Sequence, residues 1–298
     1  MAGIKELKTR IKSIQGTRKI TRAMQMVSAA KMRKAQLLAA SSRPYSSLAW
    51  ELISNLTRQL ELDLPLLRTH RHAKKIGVLV ISTNRGFVGS LNVNLIGKLK
   101  ELEGNPELLC ELVVHGQQAK NLTARLGKNV TADFPKLDKN AAIEDIYPIA
   151  KYLTDLYQTN QFRKIYIVYN HFYSTISQKP EVVQLLPFPQ EIVKNIKGKH
   201  GEKAEVTISK KYGYNYQFEP DPVGVLNHLL PRIVESQIYQ ALLESDASEH
   251  SARMIMMKNA TDAAGDLIDD LTLSYNQLRQ NKITTELAEI TAGKIALE

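Results

Sequence analysis

The stretch with most chemical promise is TNRGFVGSLN (Thr83–Asn92), a glycine-bearing turn between an apolar run and a helical pattern. A turn of this kind at a helix N-terminus can hold phosphate on its backbone N–H groups. Two spacings usually accompany that chemistry, G-x-G-x-x-G and G-x-x-x-x-G-K-[ST]. Only the second supplies the lysine and hydroxyl that phosphate and magnesium require. Neither occurs in the chain. The turn glycines are therefore read as packing a helix against a sheet.

The other reactive residue types do not assemble into a set either. His70 and His72 stand among Arg68, Arg71, Lys74 and Lys75, a basic setting that disfavours a bound cation, and read as a solvated loop. Asp269 and Asp270 are adjacent, so on a helix they point about 100° apart and cannot work as paired carboxylates. H-E-x-x-H and G-x-S-x-G are missing, and the single Cys110 allows neither an internal disulfide nor a cysteine-based metal site. The expectation is no catalytic residue, no metal and no cofactor.

Charge is more informative. The net charge of +10 over 298 residues is concentrated at one end: residues 1–40 carry ten Lys and Arg against Glu6 alone. Such an element attracts an acidic partner, whether nucleic acid, anionic lipid or an acidic protein surface. No run reaches the roughly 18 uncharged apolar residues of a membrane span.

Proline then divides the chain. All eleven prolines lie from Pro44 to Pro231, so 43 residues before and 67 after are open to long helices. Near the start, Ile4, Leu7, Ile11 and Ile14 follow the 3-and-4 spacing of a two-stranded coil. After Gly16 the apolar phase slips to Ile20, Met24, Val27 and Lys31, and the helix can resume past Pro44 through Leu48, Leu52, Leu56 and Leu60. The far end, entered through EPDP (Glu219–Pro222), runs through Leu226, Ile233, Ala252, Ile255, Met256, Ala260, Ala263, Leu267, Leu271 and Leu278. Sixty-seven helical residues span roughly 100 Å, too long for a compact domain to bury.

Between these ends, buried strands are expected at Lys75–Ser82, Leu108–His115 and Lys164–Tyr169, with Val182–Leu186 a further candidate. Helices are expected at Leu91–Glu103, 116–127 and Ala141–Gln158, and a loop and strand edge at Gly201–Ser209. The fold class is α/β: a Rossmann-like domain with a mostly parallel sheet (75–215), plus a long antiparallel coiled coil of N-terminal (1–60) and C-terminal (220–298) helices.

Four stretches carry a family resemblance. KITRAMQMVSAAKMRKAQ (Lys19–Gln36) resembles the N-terminal helix of the F-type ATP synthase gamma subunit family, the rotary motor's central shaft. Residues 252–297 resemble that family's C-terminal helix. VLVISTNRGFVGSLN (Val78–Asn92) is similar to the first strand and turn of its α/β domain, and YQFEPDP (Tyr216–Pro222) to its membrane-proximal foot.

The resemblance implies a rotor subunit, one copy per complex, inside a ring of three alpha and three beta subunits. The epsilon subunit and the c-subunit ring are its other partners, and nucleic acid is not among them. By position, Met24 corresponds to a methionine near an acidic beta-subunit loop, and Lys19 and Arg22 supply charge towards the same surface. Arg253, Gln280 and Thr284 correspond to positions that hydrogen-bond beta-subunit loops. Tyr216 and Glu219 correspond to foot positions facing the c ring and epsilon. The phosphoryl chemistry would belong to the beta subunits. Chloroplast members carry a regulatory cysteine pair, which Cys110 alone cannot form. The start at MAGIKELK leads us to expect a bacterial protein, peripheral on the cytoplasmic side of the inner membrane. Without the resemblance, two rivals stand: a basic coiled coil that binds nucleic acid, and a Rossmann-like nucleotide enzyme.

Overall fold

The computed structural model describes residues 3–59, 64–70, 72–104, 109–136, 142–188 and 221–297. Gly201–Ser209, Tyr216 and Glu219 lie outside the described residues. The chain divides into two compact units, Met1–Ala30 with Arg253–Glu298, and Lys31–Ala252.

Two helices dominate, α1 (Ile4–Gln59) and α5 (Pro222–Leu297), of 56 and 76 residues. Each encloses a proline, Pro44 or Pro231, and the sequence reading had already carried both helices past it. A proline removes one helical hydrogen bond, and packing on either side outweighs that loss. Leu230, Ile233 and Val234 are buried around Pro231, and the Ser42 hydroxyl reaches Gln240 just ahead of Pro44. The entry of α5 is well specified. Pro222 occupies the first helical position, and the Asp221 carboxylate accepts from the Gly224 N–H at 2.7 Å.

Among the described residues the larger unit is built on five strands: β1 (Lys75–Ile81), β2 (Leu109–His115), β3 (Val130–Phe134), β4 (Phe162–Phe172) and β5 (Gln178–Leu186). Their order is β3-β2-β1-β4-β5, parallel except where β5 returns antiparallel to β4. The helices are α2 (Leu91–Glu103), α3 (Gln117–Arg125) and α4 (Tyr147–Gln158), the last preceded by a 3₁₀ turn at Ile143–Asp145. Alternation along KIGVLVI supplies both cores. Ile76, Val78 and Val80 enter one cluster with Leu95, Leu99 and Leu112, while Leu79 and Ile81 enter the other with α4 and the first half of α5. A strand buried on both faces reads as a continuous apolar run, which is why β1 was legible. β3 was not foreseen, because VTADF alternates half-buried and exposed at the sheet edge. The expected strand at Val182–Leu186 is the inner half of a longer one.

In the smaller unit, α1 and α5 pair antiparallel. The Thr261 hydroxyl donates to Thr21 Oγ1 at 2.7 Å, and four residues on, Gly265 faces the Arg18 guanidinium. The expected phase slip after Gly16 does not occur. Ile4, Leu7, Ile11 and Ile14 line the seam, and it continues in steps of seven through Thr21 and Ser28, 8% and 4% exposed. Ile20 and Val27, assigned to the seam from hydropathy, are 63% and 57% exposed. On α5 the buried positions include Met257, Thr261, Ala264 and Gly265, and Leu267 is outside at 52%. Small polar residues displace larger apolar ones because they let two backbones approach. The Thr21 hydroxyl donates to its own helix's Arg18 carbonyl, which leaves its oxygen free to accept from Thr261.

Candidate functional site: an outward coil face and a closed crevice

The predicted contact residues on α1 differ in exposure. Lys19 and Arg22 are exposed, as are the neighbouring Ile20 and Val27, whereas Met24 is half-buried. Two apolar side chains held in water beside two cations make a surface suited to an apolar partner with acidic neighbours. On α5, Gln280 and Thr284 are exposed. The Thr284 hydroxyl folds back on the Gln280 carbonyl at 2.9 Å, so a partner would have to compete for it. Around them Ile283, Leu287 and Ile290 are 49%, 58% and 69% exposed at i, i+4, i+7 spacing, a stripe the sequence reading missed. Arg253 is largely buried, with 9% exposed. Tyr216 and Glu219 fall outside the described residues.

In the larger unit, the turn that promised phosphate chemistry is directed at the chain itself. The first three N–H groups of α3 are taken by Asn84 Oδ1, the Thr83 carbonyl and Ser82 Oγ, at 3.4, 3.0 and 2.8 Å. Asn92 at the start of α2 clasps Thr83 through its side chain, Nδ2 donating to Oγ1 at 2.8 Å. The N–H groups at the start of α3 are thereby committed within the chain. The turn instead projects Phe87, 70% exposed at φ 61°, a conformation unusual for a bulky residue.

A doubly wound sheet binds ligands beyond the carboxyl ends of its strands, where the winding reverses. Here that point lies between β1 and β4, and α5 covers it. Ser248 donates to the Asn170 carbonyl at 2.9 Å, and Tyr169 to Glu244 at 3.3 Å. Burial and the nearby carboxylate raise the Tyr169 phenol above its ordinary range, so it stays a neutral donor. A cavity of about 310 Å³ remains off the ends of β2 and β3, lined by His115, Phe134, Lys136, Ile149, Leu242 and Asp246 among others. Its cation is already committed, because Lys136 pairs with Asp246 and Glu249 at 2.6 and 2.8 Å. Burial opposes the Lys136 charge, but the two carboxylates outweigh it and hold its pKa above the usual lysine range. His115 is pushed down to about 4 by burial and by Lys136, and is neutral at pH 7. Among the described residues, the cavity offers no uncommitted positive charge for phosphate.

Comparison with known proteins completes the picture. The ATP synthase family profile matches residues 3–297. The gamma chains of ATP synthase from two Haemophilus influenzae strains, PittEE and Rd, are each 42% identical over 301 residues, covering all of both chains. Solved structures share the fold at lower identity. The rotor of Euglena gracilis mitochondrial ATP synthase superposes with a TM-score of 0.63 at 18% identity, covering 94% of this chain and 98% of that one. A chain of the Euglena assembly of OSCP, F1 and c-ring gives 0.66 at 20%, covering 99% and 94%. One from the Tetrahymena thermophila central stalk and c-ring gives 0.60 at 23%, covering 81% and 99%. A coil with an outward apolar face, a crevice closed by the chain's own helix and an end-to-end match lead to one assignment: the chain belongs to the ATP synthase gamma chain family.

Proposed function

We propose that the chain is the central rotor shaft of a proton- or sodium-translocating F-type ATP synthase, passing rotation of the membrane c ring to the beta-subunit catalytic sites. One observation supports this most directly. From Thr21 to Ser28 the coil's seam is built from small residues, and the apolar side chains of Ile20 and Val27 face outward. A slim coil with an apolar, basic exterior suits enclosure by a ring of acidic levers.

In this reading the terminal helices (1–60 and 220–298) form the shaft and the α/β domain (75–215) its base. Lys19, Arg22 and Met24 meet beta-subunit loops on one side; Arg253, Gln280 and Thr284 meet them on the other. Tyr216 and Glu219 belong to the foot facing the c ring and epsilon. The chain supplies no catalytic group. It acts by differential contact: one asymmetric shaft presents a different face to each of three equivalent sites, and each site shifts among its states by the difference in interaction free energy. The complex would hold the chain peripherally at the cytoplasmic face of a bacterial inner membrane.

Affinity purification of the tagged chain from membranes tests the assignment. Alpha, beta, epsilon and c subunits should co-purify in one complex with ATPase activity, and the isolated chain should show no heat of ATP binding. Recovery with nucleic acid and without ATPase subunits would overturn the reading, as would tight ATP binding by the chain alone.

A further inference from the structure

Where α5 crosses the sheet in the larger unit, the contact is polar where helix–sheet packing is ordinarily apolar. Between Glu244 and Ser251, five side chains of α5 reach different strand ends. Glu244 pairs with His171 of β4 and accepts from Tyr169. Asp246 and Glu249 hold Lys136, two residues beyond β3. Ser248 donates to Asn170, and Ser251 donates to the Thr175 carbonyl in the β4–β5 turn at 2.7 Å.

Lys136 is the hub of this seam. Its ammonium lies 3.4 Å from the Ser82 carbonyl just past β1, and its own carbonyl accepts from Asn84 Nδ2 at 2.6 Å. One cation thus ties the ends of β1 and β3 to two carboxylates a turn apart on α5. Side-chain exposures of 9% for Lys136, 13% for Asp246 and 9% for Glu249 place the triad away from water.

The apolar face of α5 from Leu226 to Leu242 packs closely on the sheet, but apolar attraction is itself non-directional. A buried ion pair differs. Its energy rises steeply with separation at low dielectric, and breaking it strands a charge. Turning α5 about its axis relative to the sheet would draw both carboxylates off Lys136.

We propose that Lys136, with Asp246 and Glu249, is a torsional clamp that fixes the rotational setting of α5 on the sheet, so that turning the α/β unit turns the helix without slip. The clamp rests on the rotor reading. Lys136 is a positioning residue, acting through α5 and touching no nucleotide.

The test uses the assembled complex with its catalytic ring fixed to a surface and a bead tethered to the exposed position 93 through Val93→Cys. The angular spread of the bead while the motor waits for ATP reports torsional stiffness, which assembly affinity alone would not move. Lys136→Met, and separately Asp246→Asn with Glu249→Gln, should each widen the angular variance about twofold or more. Lys136→Arg, which keeps the cation, should restore most of the stiffness. ATP hydrolysis by assembled complexes should stay within about twofold of the unsubstituted complex, because no catalytic group is touched. Unchanged variance in Lys136→Met and in the double carboxamide variant would overturn the clamp. Failure of both to assemble, with helix content intact, would overturn it too, by making the triad a folding requirement. If the unsubstituted complex neither assembles nor rotates, the rotor reading itself fails.

Discussion

Ile20 and Val27 give the sharpest separation between what folds the coil and what the coil is for. They are 63% and 57% exposed in the paired helices, whereas Leu7 on the seam is 8% exposed. Full burial of an isoleucine or valine side chain is worth about 1.5–3 kcal/mol. Folding realises about a third of that here, or about 0.5–1 kcal/mol for each residue. Glutamine has the better helix propensity, by a few tenths of a kcal/mol. The double variant Ile20→Gln, Val27→Gln should therefore melt close to the parent in far-ultraviolet circular dichroism. Leu7→Gln should lose about 2–4 kcal/mol and melt visibly earlier.

Docking reverses the ranking. If the outward face is enclosed by a ring, the remaining apolar area is buried on assembly and contributes about 1–2 kcal/mol per residue. Losing both contacts should raise the concentration needed to restore ATPase activity to isolated alpha and beta subunits by about 30- to 1,000-fold. Two results would refute the reasoning. The double variant could melt as early as Leu7→Gln, which would put these residues on the seam. Or it could reconstitute at parental concentrations, which would leave the exposed face without a role.

Three further outcomes follow from particular residues. The pKa of His115 is about 4 folded against 6.5 unfolded, so the unfolded chain binds the extra proton between those values. Stability from this group is full above pH 6.5 and falls by about 3 kcal/mol as pH drops to 4; His115→Asn should flatten that part of a urea-midpoint profile. Gly116 has φ 106°, and a Cβ there would lie 2.6 Å from the Ser82 carbonyl oxygen. Gly116→Ala should cost about 2–3 kcal/mol or more in thermal unfolding, since both the backbone and the neighbouring strand must yield. Thr284→Val removes a hydroxyl that bonds only within its own exposed helical turn among the described contacts. It should leave the isolated chain within about 0.5 kcal/mol of the parent and lower ring-dependent ATPase activity.

The parts of this fold that sequence reading recovered are those where hydrophobicity and burial coincide. KIGVLVI and KIYIVY are apolar because both faces of β1 and β4 are covered. The helical ends were legible from the lack of proline, although packing carries α1 and α5 through one proline each. The triad was out of reach. Lys136 stands about 110 positions before Asp246 and Glu249, and an isolated lysine after a proline reads as a solvated loop until α5 is laid across the strand ends. The Thr83–Asn92 turn could be cleared of the phosphate fingerprints but not shown to be self-satisfied, because its partners come from α3 and from beyond β3.

The coil is the opposite case, and its misreading is informative. Hydropathy follows the large apolar side chains, so it placed Ile20, Val27 and Leu267 in the seam and passed over Thr21, Ser28 and Thr261. In an ordinary two-stranded coil that inference holds, since the seam is the only place an apolar stripe can leave water. Here the Thr21 hydroxyl is satisfied within its own helix and that of Thr261 across the pair, and the close approach of small residues replaces bulk. Along this stretch the large side chains of Ile20 and Val27 are left for the outside. Such an arrangement wastes apolar area in an isolated protein, and it is favourable only where something further covers the coil. An apolar residue that fits the helical period but misses the seam is thus a mark of the docking face, and it can be sought in the sequence once the heptad is anchored at Leu7, Ile14, Thr21 and Ser28.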